Sequence, residues 1–396
     1  MPRQRRPELQ ASDLHGLKYF PLLQELLVRL QDVGTARDKA GNRQLFFDQY
    51  TGLLLLYFFS PVVTSLRGLQ QASGLAKVEK LLGVQRTSLG SLSEATGVFD
   101  AAPLRSIVQE LAQRALPLEH GAEAQALRDL TAVDGTLLPA LPKMLWALWV
   151  DADHRAAKLH LHFDVLKGVP CDATLTQGNG SETEQLQATL SPHRLYVLDR
   201  GYASYQLLQA ILAVGSSFVV RVKDNIGYGL TCERPLTDAA RAAGVVRDLE
   251  LLRLGTLYGP GSFLHKLRLV IVRRTCPDGR IEELWLLTDR FDLDAELVAL
   301  AYRYRWTVEL FFRWFKCILG CRHLLALDAN GVAIQCYVAL IASLLVTLWT
   351  GRKPTKRTWE MIQFYLIGWA TLEELQAHLE QLQARDDAQA RTHMVV

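Results

Sequence analysis

Between Tyr302 and Lys316 the sequence YRYRWTVELFFRWFK sets one carboxylate, Glu309, among cations and aromatic rings. Wound at about 100° per residue from Tyr302, an α-helix puts Arg305 near −60°, Glu309 near −20° and Lys316 near −40°. The four polar side chains share a stripe roughly 60° wide, and Trp306, Leu310, Phe311, Phe312, Trp314 and Phe315 fill most of the remaining circumference. A helix wrapped in apolar groups on every side but one packs into a core and spares that side for a purpose. Ordinary i, i+4 ion pairing of Glu309 with Arg305 and Arg313 accounts equally for the pattern on a surface helix. The more demanding reading is phosphodiester chemistry: Glu309 at hard divalent cations, with Tyr302, Arg305 and Lys316 tracking one nucleic-acid strand along about 21 Å of helix.

One carboxylate cannot hold two such cations about 3.5 to 4 Å apart, because in-line displacement at phosphorus needs acidic oxygens that bridge and flank them. Asp134 ends the apolar run LTAV and Asp199 ends LYVL, so each projects from a strand end where neighbouring strands could bring them together. Asp289 after IEELWLLT and Asp164 within LHLHFDVL are rivals for the second acid. His160, His162 and Asp164 alternate onto one strand face, a pattern that suits a half-exposed strand more readily than a metal site.

These side chains need elements to position them. From Leu130 onward LTAVDGT, KMLWALWV, KLHLHFDVL and LYVLD read as strands, and ASYQLLQAILAVG after the last reads as a helix, which together make an α/β core. SSFVVRVKD adds another strand. About 70 residues follow in which DLELLRL, HKLRLVIVRR and IEELWLLT alternate with turns such as YGPG and CPDG, a β-rich insertion. Residues 1 to about 125 lack strand patterning; there SLRGLQQASGLAKVEKLLGVQRTSLGSLSEA reads as short capped helices, either a helix-turn-helix-like DNA reader or a plain packing module. The run GVAIQCYVALIASLLVTLWTG at 331–351 carries no charge and is nearly long enough to span a bilayer, but a helix buried in a large core is the better reading.

The spacing of Tyr302, Arg305, Glu309 and Lys316 resembles the signature helix of DDE transposases of the insertion-sequence-four family, matching at all four positions. VLDRGY at 197–202 resembles that family's second-aspartate motif and AVDGT at 132–136 its first, and the long insertion before Glu309 is also similar, so the resemblance covers about residues 130–350. It implies an α/β fold with a ribonuclease-H-like core and a β-rich insertion, preceded by a helical N-terminal domain and followed by C-terminal helices. The expected boundaries are 1–125 for the helical domain, a candidate for DNA binding, 126–224 and 293–350 for the core, 225–292 for the insertion and 351–396 for the last helices. It further implies metal-dependent DNA cleavage and strand transfer at the ends of an insertion sequence. Asp134, Asp199 and Glu309 would bind two Mg²⁺ or Mn²⁺ ions; Arg305 and Lys316 would hold phosphates, with Tyr302 packing or hydrogen-bonding near the cut. Some members release their element through a DNA hairpin with a tryptophan stacked on a flipped base. Trp285 is similar to that residue, and such stacking contributes about 1 to 3 kcal/mol, although a core tryptophan explains the position equally well. A metal nuclease of the same fold and a non-enzymatic DNA-binding relative are the alternatives. Double-stranded DNA is the implied partner, with a homodimer in the DNA complex.

Composition is compatible with this without announcing it. A net charge of +3 does not mark the chain as basic, but MPRQRRPELQ at the start, KLRLVIVRRTCPDGR at 266–280 and RKPTKR at 352–357 concentrate cations able to meet phosphates. Six cysteines without a CxxC pair argue against disulfides and a zinc cage, and Cys317, Cys321 and His323 read as core residues. With no secretory signal, a bacterial cytoplasm is expected, nucleoid-associated when on DNA, with no membrane partner.

Overall fold

The computed structural model describes residues 26–31, 43–118, 121–151, 154–255, 265–276, 278–321 and 323–393; the basic run at 1–10 and the YGPG turn lie outside them. The chain divides into two compact units. One comprises Pro117–Leu137 and Ala157–Phe312, and the other Met1–Leu116, Leu138–Ala156 and Arg313–Val396.

The first unit is built on a mixed sheet of nine strands: β1 (Leu130–Ala140), β2 (Arg155–Asp164), β3 (Val169–Gln177), β4 (Leu195–Leu198), β5 (Ser217–Val222), β6 (Tyr228–Glu233), β7 (Val245–Leu254), β8 (Leu267–Thr275) and β9 (Ile281–Thr288). Their order is β3-β2-β1-β4-β5-β9-β8-β7-β6. β1, β4 and β5 run parallel, which buries both faces and selects continuous apolar runs such as LYVL. β9 lies antiparallel to β5, so the strands of the insertion extend the same sheet. On one face Tyr196, Leu198, Val220, Val222 and Leu287 pack with Leu207, Leu208 and Ile211 of a helix at Tyr205–Ala213. Alternation turns Val197, Val219 and Leu286 to the opposite face, where a helix at Ala295–Tyr304 covers β5, β7, β8 and β9.

Two strand expectations change. KMLWALWV forms successive turns instead of a strand, with Met144 and Ala147 buried but Leu145, Leu148, Trp149 and Val150 exposed, because its apolar residues follow no period of two. The strand beside β2 is instead VPCDATLTQ, whose Pro170 and Asp172 hid it; as β3 it lies at the sheet edge, where a proline is tolerated. The basic run at 266–280 is not a free cationic strip either. Arg268 is buried against Asp248 at 2.8 Å, and Arg273, Arg274 and Arg280 pair with Glu283, Glu282 and Asp278.

In the second unit the helices are α1 (Phe47–Phe59), α2 (Leu66–Ser73), α3 (Ala76–Leu82), α4 (Leu89–Val98), α5 (Ala102–Arg114) and, after the sheet, α6 (Ala329–Thr350) among others. Ser65 and Ser88 cap α2 and α4 by accepting from Gly68 and Ser91 N–H, and Gly83 ends α3 in the left-handed region at φ 60°, as the sequence suggests. The apolar run at 331–351 is α6. It is long and apolar enough to cross a membrane, but it is buried along most of its length and packs against α1, α4 and α5. Asp328 caps it, and Asn330 bonds the Thr96 and Phe99 carbonyls and the Ala101 N–H, tying it to the end of α4.

Candidate active site

The register between β1 and β4 aligns Ala132 with Val197. Two residues further along stand Asp134, inside β1 and not at its end as the sequence suggests, and Asp199, just past the end of β4, so parallel pairing brings both acids to one level. Each caps the backbone beside it: Asp134 Oδ1 accepts from Gly135 N–H at 2.8 Å, and Asp199 Oδ1 from Arg200 N–H at 2.7 Å as it opens a 3₁₀ turn over Arg200–Tyr202.

The polar stripe arrives on two helical segments. The sequence suggests one helix over Tyr302–Lys316; the structure has α7 at Ala295–Tyr304 and α8 at Trp306–Cys317, with Arg305 between them still in right-handed helical geometry at φ −52°, ψ −34°. Arg305 N–H bonds the Tyr302 carbonyl and Val308 N–H the Arg305 carbonyl, which are three-residue steps. Thr307 Oγ1 donates to the Tyr304 carbonyl at 2.7 Å, a side-chain bond that competes with the helical ladder at this point.

Because the backbone stays helical through the break, the stripe survives it. Tyr302, which is buried, donates its hydroxyl to Asp199 Oδ1 at 3.2 Å. Arg305 donates from Nη2 to Glu309 Oε1 at 2.9 Å, and its Nη1 lies 3.6 Å from Asp134 Oδ2. Its guanidinium also sits 5.9 Å from the Tyr302 ring centroid, within cation–π range. Three carboxylates from three separate elements are thereby joined through one arginine and one tyrosine. Lys316 is partly buried on α8, seven residues and about two turns beyond Glu309.

The electrostatics follow from crowding acids in a partly buried place. Burial lifts the Asp134 carboxyl to about 6, opposed by the Gly135 N–H and Arg305 and reinforced by Glu182 and Glu309. Burial also lifts the Tyr302 hydroxyl, and the Asp199 charge lifts it further. Arg305 is held above its ordinary value: burial works against its charge, but the Glu309 bond and the Asp199 charge outweigh it.

The rival acids are engaged elsewhere. Asp289 Oδ1 accepts from Phe218 N–H at 2.8 Å, and Asp164 accepts from Lys167 N–H and faces Arg194. His160 and His162 are buried and bond Thr176 and Thr189, so that strand face is structural. Trp285 is not brought to the carboxylates. On β9 it points with Leu287 to the core face of Tyr196 and Leu198, edge-on to Tyr228, whereas Tyr302 reaches Asp199 from the other face.

Sequence reasoning missed Arg221 and Glu182. Arg221 on β5 bonds Glu282 at 2.6 Å and stands close enough to Tyr302 to share its charge balance. Glu182 follows the capping Ser181 at the start of a short helix, Glu182–Ala188, where an acid is ordinary; no pattern in the sequence points it at Asp134.

Asp134, Asp199 and Glu309 offer only hard oxygen donors, which fit Mg²⁺ or Mn²⁺ and do not suit softer ions. Among the described residues no three His, Cys, Asp or Glu side chains stand close enough to cage an ion, and the Arg305 guanidinium lies between Asp134 and Glu309. The donor chemistry fits a divalent cation, provided Arg305 yields.

A relative in Sinorhizobium fredii named as transposase y4zB is 29% identical over 221 residues, 55% of this chain and 60% of its own length. Another, in Geobacillus stearothermophilus, named as the transposase of insertion sequence element IS5377, is 29% identical over 235 residues, 58% of this chain and 59% of its own length. The matched region thus spans about three fifths of either relative. Among solved structures, piggyBac transposase in its synaptic complex with hairpin DNA aligns with a TM-score of 0.42 and 11% identity, over 95% of this chain and 83% of that one. Residues 125–345, more than half of the chain and all of the strands and helices just described around the carboxylates, match the family model described as the transposase DDE domain, and the chain belongs to that family.

Proposed function

We propose that the chain is the transposase of an insertion sequence, cutting DNA at the ends of its element and joining those ends to a target with the help of two divalent cations. Its sheet is read as a ribonuclease-H-like core, and the four-residue stripe supports grouping it with the insertion-sequence-four transposases. A relative in Synechocystis named as the transposase of element IS4SA is 20% identical over 270 residues. The observation that carries the reading is the shared network of Asp134, Asp199 and Glu309 through Arg305 and Tyr302.

On this reading the three carboxylates hold Mg²⁺ or Mn²⁺. Bound there, such cations make water or a 3′-hydroxyl nucleophilic at neutral pH and stabilise the departing oxygen. Arg305, released from Glu309, and Lys316 bind phosphates on one side of the scissile bond, and Tyr302 fixes the Asp199 carboxylate through its hydroxyl. Trp285 is retained as a DNA contact only if β9 exposes it on binding. The partner is double-stranded DNA, two ends of which need a pair of protomers, in the cytoplasm.

The test uses full-length protein and DNA carrying the element's ends. With Mg²⁺ present, cleavage and joining are expected from the wild type, and Glu309→Gln is expected to lower both by about three orders of magnitude while leaving the circular dichroism spectrum unchanged. Equal rates for the two proteins sink the assignment. Cleavage without joining turns it into a nuclease.

A further inference from the structure

We propose that the run RKPTKR at 352–357 and the last helix together form a second binding surface, one that holds the phosphates of double-stranded DNA; that the anion is DNA rests on the reading above. Of the three basic runs in the sequence, 1–10 lies outside the described residues and 266–280 is neutralised by its own acids. The third keeps its charge. Lys356 stands 3.5 Å from Glu360, but Lys353 and Arg357 make no ion pair among the described residues, nor does Arg385 on the last helix.

The fold gathers these cations. Helices α9 (Lys356–Leu366) and α10 (Leu372–His393) pack on each other, and Arg352 Nη1 donates to Gln383 Oε1 at 3.2 Å, which ties the start of the run to α10. On α10, His378 and Arg385 are seven residues apart, about two turns along one side, beside the apolar stripe of Leu375, Leu379 and Leu382. Burial and the charges of Arg352, Arg357 and Arg385 all lower the His378 imidazole, so three guanidiniums reach one ring. The acids described on α10 are engaged or turned away: Glu374 Oε2 accepts from Thr371 N–H at 2.7 Å, and Glu373 and Glu380 lie about 140° and 160° around the helix from His378. Like charges gathered in this way repel, and an anion among them relieves the repulsion. His378 Nε2 is buried and makes no hydrogen bond among the described residues, which leaves a ring nitrogen for a phosphate oxygen. Such a surface grips the DNA backbone and is blind to base sequence.

The test titrates full-length protein, in EDTA, into fluorescent duplex DNA of random sequence and of end sequence over a range of salt. Arg357→Gln and Arg385→Gln are each expected to weaken binding several-fold on both duplexes alike. Each is also expected to flatten the slope of log affinity against log salt by about 0.9, because one phosphate contact fewer releases one counterion fewer. Both side chains are exposed, so the melting temperature is expected to hold. Arg357→Lys keeps the charge and is expected to restore the slope. Arg114→Gln, which removes an exposed cation at the end of α5, is expected to change neither affinity nor slope. An equal fall in Arg114→Gln would show only the loss of overall charge and would overturn the proposal. Wild-type binding that Arg357→Gln and Arg385→Gln both match would remove this surface alone, whereas a wild type that binds no duplex at all would take down the DNA-acting reading with it.

Discussion

Arg305 carries two obligations that conflict. Its guanidinium neutralises Asp134 and Glu309, and on the proposed reading the same group must hold a phosphate while cations occupy the carboxylates. Arg305→Gln is therefore expected to bind Mn²⁺ several-fold more tightly in the absence of DNA, yet to cleave more slowly on it. Calorimetric titration showing unchanged or weaker Mn²⁺ binding would rule out Arg305 as the competing charge. His160 provides a pH test away from the reaction. Burial, with help from Lys158, lowers its imidazole to about 4 against an ordinary 6.5, and its Nδ1 has no bond. Because the folded state keeps this ring neutral, its contribution is fully present above pH 6.5 and is lost as pH falls toward 4, up to about 3 kcal/mol. Melting temperature should thus drop across that window, and His160→Gln should flatten the slope. At this scale the stripe from Tyr302 to Lys316 was legible because helical spacing is periodic. Glu182 was not, since only the fold sets its side chain against Gly135 of β1.

Elements tell a similar story about what local pattern can carry. Ser and Gly at the ends of α2, α3 and α4 are read correctly because capping is local chemistry. KMLWALWV and VPCDATLTQ are misread because strand membership depends on which neighbour offers hydrogen bonds and whether an edge is free. The break at Arg305 was hidden too, since a Thr307 side-chain bond leaves no mark on the apolar period. Gly331 sets helix propensity against packing. Alanine there gains about 1 kcal/mol of propensity, but its Cβ would stand 2.4 Å from that of Ala326 and 2.6 Å from Thr96 Cγ2. Gly331→Ala is expected to lower stability in urea unfolding by about 1 to 3 kcal/mol. A more stable variant would show that the α4 and α6 junction has room to relax.

Across the whole molecule, neither unit is one continuous stretch of chain: residues 138–156 belong with the helices while the strands on both sides of them belong to the sheet. The expected domain limits do not follow this division, because sequence pattern reports element type and not which elements share a core. A fragment cut at 126–350 would keep the apolar α6 but lose α1, α4 and α5 that cover it. We expect that fragment to aggregate, and the full chain not to, on size-exclusion chromatography; a monodisperse fragment would contradict the packing of α6. The insertion behaves differently. It departs from β5, widens the same sheet and returns on β9, where Thr288 pairs with Val219 of β5 itself. Departure and return lie on neighbouring strands, so the length of chain between them is uncoupled from the separation of Asp199 and Glu309. The insertion is accordingly a cassette, a stretch where evolution can lengthen the protein without moving β5 and β9 apart.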